Sequence, residues 1–502
     1  MSKRRFYITT AIPYVNGDPH LGFALECVQA DVLARHRRLR GEHVRFLSGT
    51  DDHALKNVEA AAVAGVPVAD FVAAKAERFA ALREPLELSY DDFIRTSRDP
   101  RHRPGVERLW RACAAGGDLY EREYEGLYCT GCEAFITTSE LVDGLCSEHR
   151  WAPEQVAERN WFFGLSRYED QLLDLIHSGR LRIEPEQRRN EVLGLLRGGL
   201  QDLSISRSRE RARGWGIPVP GDPDQVVYVW FDALGNYISA LGYGRPQEPY
   251  GQWWERSDER VHVVGKGIIR FHAVYWPAIL LSADEPLPTA IFVHDYVTVD
   301  GRKLSKSLGE NRDPATIAAR YGRAALRWWF VRDVPRSGDA DFRDDQLAAR
   351  ANELADGLGN LVNRTITLLA RYRPHGITPV DPRADESLAL HATIASTPKK
   401  IDDALAHFDI KAAATALWEL VDQANRFVAS TRPWQLARAE NGGEAGAVGD
   451  LDDMLGSLLV ACRTLARELQ PFLPAASERL ERALDTTDPE LGRRLFPKAP
   501  RE

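Results

Sequence analysis

The feature that most constrains this chain is a strand, a Pro/Gly turn and a helix in immediate succession near its start. Residues 6–10 are aromatic or β-branched, which predicts a strand. Pro13, Gly17 and Pro19 predict the turn, and apolar residues close to three- and four-residue spacing over 25–33 predict the helix. This order predicts the first crossover of a parallel α/β sheet, which binds ligands at the carboxyl ends of its strands.

Two residues where this turn meets the helix are candidates for binding an anion. His20 stands at the expected helix N-terminus, where unpaired N–H groups favour an anion, and its ring can donate to a phosphate. Gly22 leaves room for a ligand to approach the backbone. A purely structural turn explains the same residues equally well.

A second loop far along the chain has the composition of a polyphosphate site. Between Asp300 and Gly309, lysines supply point charge and serines supply hydroxyl donors. A solvated basic loop accounts for this composition equally well. The residues concerned are Lys303, Ser305, Lys306 and Ser307.

Length and composition indicate a globular protein of several domains. The 502 residues predict about three domains, and 44% hydrophobic with 27% charged residues is ordinary for a soluble protein. Because the net charge is -8, a nucleic acid would have to bind at a local basic surface of the protein. The sequence shows no signal peptide and no apolar run long enough to span a membrane, so we expect a cytoplasmic location.

The cysteines predict one metal site and no disulfide framework. Cys129 and Cys132 form one pair, and after thirteen residues Cys146 and His149 form another, each pair with two residues between its members. Three thiolates and one imidazole at this spacing predict a closed tetrahedral zinc site, which would be structural because it lies far from the candidate phosphate loops in sequence. Buried or free thiols are the alternative.

The remaining strand signals enclose a segment of different character. Apolar runs predict strands near 44–48, 92–96, 226–231 and 290–293, together with 261–264, after which a Gly-rich turn contains Gly265. We therefore expect the sheet to be interrupted by an insertion over 113–225. Its arginines, from Arg188 to Arg213, form either a nucleic-acid face or a solvated face with internal ion pairs.

Aromatic residues in the second half of the sheet, and helices after it, complete the pattern. Trp230, Tyr237, His272 and Trp276 are read from periodicity alone as ordinary core aromatics rather than a pocket. After Phe342 the strand signals fade, and leucine stripes at helical spacing predict a bundle of four or five helices.

Taken together, these stretches resemble the methionyl-tRNA synthetase family of class I aminoacyl-tRNA synthetases over nearly the whole chain. The segment around His20 resembles that family's first nucleotide signature and the segment around Lys306 its second, mobile one. The resemblance implies an α/β fold: a Rossmann-like parallel sheet, a connective insertion with a zinc knuckle and a C-terminal α-helical bundle. The implied domains are a first catalytic half over 1–112, the insertion over 113–225, a second catalytic half over 226–295, a signature-loop and stem-contact region over 296–350, and an anticodon-binding bundle over 351–502.

The resemblance also implies an activity and its site residues. ATP and Mg²⁺ would activate methionine to methionyl-adenylate, and the aminoacyl group would pass to tRNA(Met) on a monomeric enzyme that carries one structural Zn²⁺. His20, Lys303 and Lys306 would be catalytic; ATP would also contact Gly22, Gly265, Ser305 and Ser307. Asn360, Arg364 and Trp434 would read the anticodon. Methionine would contact Ala11, Ile12, Tyr14, Asp51, Trp230, Ala233, Leu234, Tyr237, Ile268, His272 and Trp276.

Three positions depart from the family pattern, and all lie on the nucleotide side. Phe23 replaces the second histidine of the first signature, Gly267 replaces an Asp near the ATP ribose, and Ala54 replaces a Gly. Two alternatives follow from these departures. One is a paralogue that passes an activated amino acid to a small amine or hydroxylamine, and the other is a non-catalytic tRNA-binding relative.

Overall fold

The computed structural model describes residues 3–129, 134–136, 141–147, 150–245, 249–303, 313–377 and 381–498. The strands are β1 Arg5–Thr10, β2 His43–Thr50, β3 Asp92–Arg95, β4 Leu119–Cys129, β5 Ala134–Ile136, β6 Leu141–Val142, β7 Leu145–Cys146, β8 Glu154–Phe163, β9 Arg182–Glu184, β10 Leu203–Ser204, β11 Ser206–Ser208, β12 Pro218–Val219, β13 Asp222–Val227, β14 Glu259–Gly265, β15 Ala290–His294, β16 Val297–Val299, β17 Arg302–Lys303 and β18 Ala340–Asp341.

The α-helices follow the same chain order. They are α1 Leu21–Leu39, α2 Leu55–Ala64, α3 Val68–Ala80, α4 His102–Ala115, α5 Glu169–His177, α6 Glu186–Arg197, α7 Val229–Leu234, α8 Asn236–Ser239, α9 Trp276–Ser282, α10 Pro314–Tyr321, α11 Arg323–Arg332, α12 Asp344–Glu353, α13 Asn360–Tyr372, α14 Asp385–Ala406, α15 Ile410–Thr431, α16 Pro433–Asn441, α17 Ala447–Leu469, α18 Pro474–Thr486 and α19 Pro489–Arg493.

The chain forms two compact units. Unit 1 comprises residues 1–19, 41–81 and 89–295; unit 2 comprises 20–40, 82–88 and 296–502. Unit 1 is built on a six-stranded sheet of order β3-β2-β1-β14-β15-β9, in which every neighbouring pair is parallel. The expected parallel α/β fold is therefore confirmed.

The central strands are apolar on both faces because both faces of the sheet are covered. All five residues of β15 are buried, as are five of the six in β1. A parallel sheet requires this burial, since its crossovers place other elements on both sides. The same burial explains why continuous apolar runs predicted β1, β2, β14 and β15 correctly.

One strand prediction was wrong. The apolar run 226–231 is a strand only as far as Val227, and α7 begins at Val229. The strand it ends, β13, pairs antiparallel with β11 and β12 in a separate three-stranded sheet. A short apolar run is compatible with a buried strand or a buried helix, and periodicity does not separate them.

The segment 113–225 contributes strands both to sheets outside the central sheet and to the central sheet itself. β4, β5, β8 and β10 form an antiparallel sheet of their own, in the order β10-β8-β4-β5. In contrast, β9 joins the edge of the central sheet by pairing in parallel with β15. The segment that interrupts the sheet in sequence thus supplies its sixth strand.

Unit 2 contains the C-terminal helices and also helix α1. In the bundle, α14 packs against α15 and α17, and α17 also packs against α13, α16 and α18. Residues of α1 join the bundle through ion pairs: Arg40 contacts Asp402 at 2.7 Å and Glu468 at 2.6 Å. The predicted helical bundle is confirmed, and the helix that begins after His20 is attached to it.

No single described helix is long and apolar enough to cross a membrane. Helices α2 and α3 reach that length and composition only when they are taken together with residues 81–83, across a bend of 102°.

Candidate active site

The strand order of the central sheet locates the ligand-binding edge of unit 1. From β1 the chain continues to β2 on one side, while the later strand β14 lies on the other side. This reversal is a topological switch point, and ligands bind outside the carboxyl ends of the strands there. The residues that leave β1 begin at Ala11, whose N–H donates to the Val263 carbonyl of β14 at 3.2 Å.

Asp51 lies at this edge, directly after β2, and its side chain is buried. Its backbone N–H donates to the Pro13 carbonyl at 2.9 Å, and it forms a parallel bridge with Tyr14. One carboxylate oxygen, Oδ1, accepts from the His53 N–H at 3.0 Å. The connection after β1 and the end of β2 are therefore held side by side around this carboxylate.

A buried hydrogen bond defines the centre of the aromatic cluster. The His272 Nδ1–H donates to the Ile268 carbonyl at 2.9 Å, so Nε2 accepts from the Tyr237 hydroxyl at 2.7 Å. Burial lowers the pKa of His272 to about 4, with the hydrogen bond to the Ile268 carbonyl opposing the change. The ring is therefore neutral at physiological pH, as a site for an uncharged side chain requires.

A second buried histidine, His262, is held neutral by the indole N–H of Trp276, a group that can only donate. The Trp276 indole N–H donates to His262 Nε2 at 3.1 Å, and the Thr9 hydroxyl lies 2.8 Å from His262 Nδ1. Because an indole N–H only donates, Nε2 must be unprotonated. Burial, followed by the nearby His272, holds the pKa of His262 well below its ordinary value.

Ring contacts join the predicted methionine-binding residues. Tyr14 and Trp230 have centroids 6.2 Å apart, and Trp230 lies 6.3 Å from His272 and stacks on Phe271 at 3.6 Å. Tyr237 and Trp276 are 6.0 Å apart. Ala233, three residues after Trp230, is buried. The apolar cluster that contains Tyr237 and Trp276 also includes Ala11 and Leu234, and Ile12 and Ile268 pack against it.

His20 caps α1 with its own ring. Its Nδ1 accepts from the N–H groups of Gly22 at 3.0 Å and Phe23 at 3.4 Å. Because Nδ1 accepts, the proton of the neutral ring is on Nε2, and the residue is exposed. A Cβ on Gly22 would lie 2.9 Å from this ring, so glycine at 22 accommodates His20, whereas the sequence suggested space for a ligand.

The other predicted nucleotide residues are described in part. A Cβ on Gly265, the last residue of β14, would lie 3.4 Å from the His294 ring, so this ring lies over the glycine. Lys303 ends β17, but its side chain is outside the described residues. Ser305, Lys306 and Ser307 lie outside them altogether.

Two of the four predicted zinc ligands are described, and they share one small cluster. Cys129 ends β4 and Cys146 ends β7, and both pack with Ile136. Their exposed fractions are 1% and 2%. Cys132 and His149 lie outside the described residues.

The predicted anticodon residues are exposed on two helices of unit 2. Asn360 and Arg364 are four residues apart on α13, and Trp434 on α16 is 44% exposed. Both helices pack against α17.

Part of the arginine-rich segment forms internal ion pairs. Arg188 pairs with Glu191 and Asp295, and Arg211 pairs with Glu154. Arg207 is buried, with its guanidinium 4.4 Å from the Tyr228 ring centroid. Ion pairing is the alternative that the structure supports for these described arginines.

A cluster at the same edge was missed in the sequence. His53 Nδ1 lies 2.6 Å from Asp232 Oδ2, and His102 Nε2 bonds to the other oxygen of that carboxylate. These residues are 179 and 130 positions from their common partner. No spacing rule connects residues so far apart; the position of His53 directly after a strand end was the only available signal.

Of the three departures from the family pattern, one has a simple structural explanation. Ala54 has φ −58° and ψ 139°, which any residue adopts, and its methyl packs in a cluster with Tyr228 and Val229. Phe23 is 7% exposed in the first turn of α1, and Gly267 is exposed in the turn after β14.

Comparison with known proteins agrees with this fold and site. Residues 6–151 and 136–366 match the family model described as tRNA synthetases class I (M). The methionine–tRNA ligases of Caldanaerobacter subterraneus subsp. tengcongensis and Thermotoga maritima are each 38% identical, over 97% and 95% of this chain and 75% of each relative. The corresponding ligase of Brucella suis is 37% identical over 96% of this chain and 92% of its own.

Solved structures give the same result. The Mycobacterium tuberculosis methionyl-tRNA synthetase in complex with methionyl-adenylate has a TM-score of 0.88 at 37% identity, covering 95% of this chain and 93% of the other. Its apo form has a TM-score of 0.81 at 34% identity, covering 95% and 91%. Sheet, switch point and family match define the class as class I aminoacyl-tRNA synthetases. Within that class, the chain belongs to the methionyl-tRNA synthetase family, which confirms the resemblance noted in the sequence.

Proposed function

We infer that this protein is a methionine–tRNA ligase, which activates methionine with ATP to methionyl-adenylate and transfers the methionyl group to tRNA(Met). The observation that carries this conclusion is the buried Tyr237–His272 pair beside Trp230, whose ring neighbours Tyr14, the residue bridged to Asp51. It occurs within a chain similar over 95% of its length to a synthetase solved with methionyl-adenylate. A neutral polar contact, aromatic walls and one carboxylate suit a thioether amino acid.

In the amino-acid pocket, Asp51 would bind the α-ammonium, and the aromatic cluster would surround the side chain. The predicted contacts are Ala11, Ile12, Tyr14, Trp230, Ala233, Leu234, Tyr237, Ile268, His272 and Trp276. Neutral His272 supports this assignment, because an imidazolium would carry an uncompensated charge against a thioether.

For the nucleotide, His20 would donate from Nε2 to a phosphate of ATP. Its role as the cap of α1 supports this assignment, because Nδ1 accepts from the helix and the proton of the neutral ring is therefore on Nε2. Gly22 leaves room for that ring, and Gly265 would contact ATP at the end of β14, beside the His294 ring. Lys303 and Lys306, with Ser305 and Ser307, would supply charge and hydroxyl donors from the second signature. Mg²⁺ would accompany the ATP phosphates, and in-line attack by the methionine carboxylate on the α-phosphorus would release pyrophosphate.

The structural zinc would be held by Cys129, Cys132, Cys146 and His149. Burial of the two described thiols in one cluster with Ile136 is compatible with a shared ion. Zinc bound there would stabilise a small segment that has little apolar core of its own.

Recognition of tRNA(Met) would use the exposed face formed by Asn360 and Arg364 on α13 together with Trp434 on α16. An indole can stack on an unpaired anticodon base while amide and guanidinium groups read base edges. We further propose that the enzyme acts as a monomer in the cytoplasm, as the family resemblance implies.

Two assays test the function. Methionine-dependent exchange of pyrophosphate into ATP should occur without tRNA, and tRNA(Met) should then accept methionine. Exchange without charging would favour transfer to a small amine or hydroxylamine. Salt-sensitive tRNA binding without exchange for any amino acid would favour a non-catalytic relative.

A further inference from the structure

Three buried side chains at the active-site edge form an ion-pair chain that the proposed chemistry does not yet use. Asp232 accepts from His53 on Oδ2 and from His102 on Oδ1, and His102 Nδ1 lies 2.8 Å from the Ser239 hydroxyl. Asp232 is 1% exposed and His102 is fully buried. Water is therefore excluded from the carboxylate.

The distances among His53, Asp232 and His102 fit hydrogen bonds rather than a bound metal ion. Nitrogen and oxygen ligands of one tetrahedral metal stand roughly 3.3 Å apart, given bond lengths of about 2.0–2.1 Å. His53 Nδ1 and Asp232 Oδ2 are 2.6 Å apart, which is a charge-assisted hydrogen-bond length.

The Asp232 carboxylate governs the direction in which the pKa of His53 shifts. Burial by itself lowers the pKa of His53, but the charge and hydrogen bond of Asp232 outweigh it, so the pKa is raised above its ordinary value. Burial acts to raise the pKa of Asp232, but the two imidazoles hold it below its usual range. The Asp232 carboxylate therefore accepts the proton-bearing Nδ1 of His53 and favours the protonated form of the ring, in which Nε2 also carries a hydrogen.

The backbone of His53 adjoins the proposed amino-acid pocket, and its ring packs against Trp215 with centroids 5.9 Å apart. Its backbone N–H donates to Asp51, and the next residue, Ala54, packs with Tyr228, Val229, Tyr14 and Trp230. The side chain is 10% exposed. Among the residues that the structure describes, His53 Nε2 makes no hydrogen bond, while Nδ1 is fully engaged by Asp232.

An α-amino acid carries an ammonium and a carboxylate on one carbon, so a carboxylate and an N–H donor beside the pocket suit it. We propose that His53, oriented by Asp232, binds the substrate by donating its Nε2–H to an anionic oxygen, the methionine carboxylate before activation and the adenylate phosphate after it. This inference rests on the proposed function and on Asp51 binding the ammonium. His102 and Asp232 are then positioning residues.

Two substitutions of His53 separate substrate binding from a structural role. His53→Asn keeps a donor near the Nδ1 position, and so the contact with Asp232, but has nothing at Nε2. His53→Gln reaches the Nε2 position with a neutral amide. If His53 binds substrate, His53→Asn should be the more damaging, whereas a purely structural role predicts that His53→Asn stays close to the unsubstituted protein.

The test compares equilibrium binding of L-methionine and L-methioninol, which lacks the carboxylate. His53→Asn should weaken methionine binding roughly tenfold or more, as loss of a charge-assisted hydrogen bond requires, and change methioninol binding less than about twofold. His53→Gln should lie between these limits. The matched control is His177→Gln, an exposed histidine on α5.

The phosphate part is tested by single-turnover adenylate formation at saturating methionine. His53→Asn should slow this step roughly tenfold or more relative to His177→Gln. Equal losses for methionine and methioninol, or no loss for either, would overturn the inference while leaving the proposed function intact. Absence of methionine binding by the unsubstituted protein would overturn both.

Discussion

Arg327 of α11 and Asp31 of α1 form an ion pair closed to solvent. Their Nη2 and Oδ2 atoms are 2.9 Å apart, and each side chain is 0% exposed. Arg327 also donates to the carbonyls of Phe472, Leu86 and Pro471. Each nitrogen of the guanidinium therefore exchanges water for a protein partner, which is the condition under which a buried pair is tolerated.

Arg327→Met should destabilise unit 2 strongly, because it leaves three carbonyls and part of Asp31 without their donor. Arg35 still contacts Asp31 at 2.8 Å, so we expect the low end of the range for a broken buried pair, about 3 kcal/mol. Urea unfolding measures the loss. Arg320→Met, at a 63% exposed arginine on α10, is the control and should change stability by less than about 0.5 kcal/mol.

Tyr237→Phe should impair methionine use by removing the donor to His272 Nε2. A buried acceptor left without its partner costs about 1–3 kcal/mol, so kcat/KM for methionine in the exchange reaction should fall roughly tenfold. Tyr120→Phe removes a hydroxyl bonded to Asp202 at 2.6 Å, away from the aromatic cluster, and should leave this constant unchanged. A normal kcat/KM in Tyr237→Phe would contradict the assigned pocket.

The buried neutral histidines should make stability fall in mild acid. His272 has a pKa of about 4 in the fold, so below about pH 6.5 the unfolded chain binds a proton that the native chain does not. The stability that neutral His272 contributes to the free energy of unfolding is fully present above pH 6.5. It is reduced by about 2 kcal/mol at pH 5 and is lost as the pH falls through 4. The free energy of unfolding should differ less between pH 7.5 and pH 5 in His272→Gln than in the unsubstituted protein. An unchanged difference would mean that His272 does not titrate in this way.

Phe23→His should accelerate adenylate formation. It restores the second histidine of the first signature, and one positioned donor to a developing charge is worth about 2.7–4 kcal/mol, or roughly a hundredfold to a thousandfold in rate. Single-turnover formation of methionyl-adenylate measures the gain. Phe23→Leu should give no increase, and equal rates for the two variants would show that this chain binds ATP without that donor.

The zinc prediction is tested by metal content. The purified protein should contain one equivalent of zinc by mass spectrometry, and Cys146→Ser should lose it together with stability of the insertion. Cys113→Ser changes another buried cysteine, whose pKa burial raises to about 12, and should retain the metal. Zinc retained by Cys146→Ser would exclude this cysteine as an essential ligand.

The sequence by itself determined the parallel sheet, the helical bundle and the family. Strands β1, β2, β14 and β15 were predictable because a strand covered on both faces must be apolar at consecutive positions. Helices of the bundle were predictable because one-sided burial imposes a leucine stripe. Candidate phosphate-binding loops could be proposed from sequence because such sites use short, contiguous segments.

Tertiary structure alone decided what depends on distant partners. Strand β9 belongs to the central sheet only through its pairing with β15, and Val229 begins a helix although its apolar run suited a strand. The raised pKa of His53 and the neutrality of His272 depend on burial and on partners that folding supplies. Local sequence determines which structures and protonation states are accessible, whereas packing selects among them because desolvation and hydrogen-bond partners exist only in the folded chain.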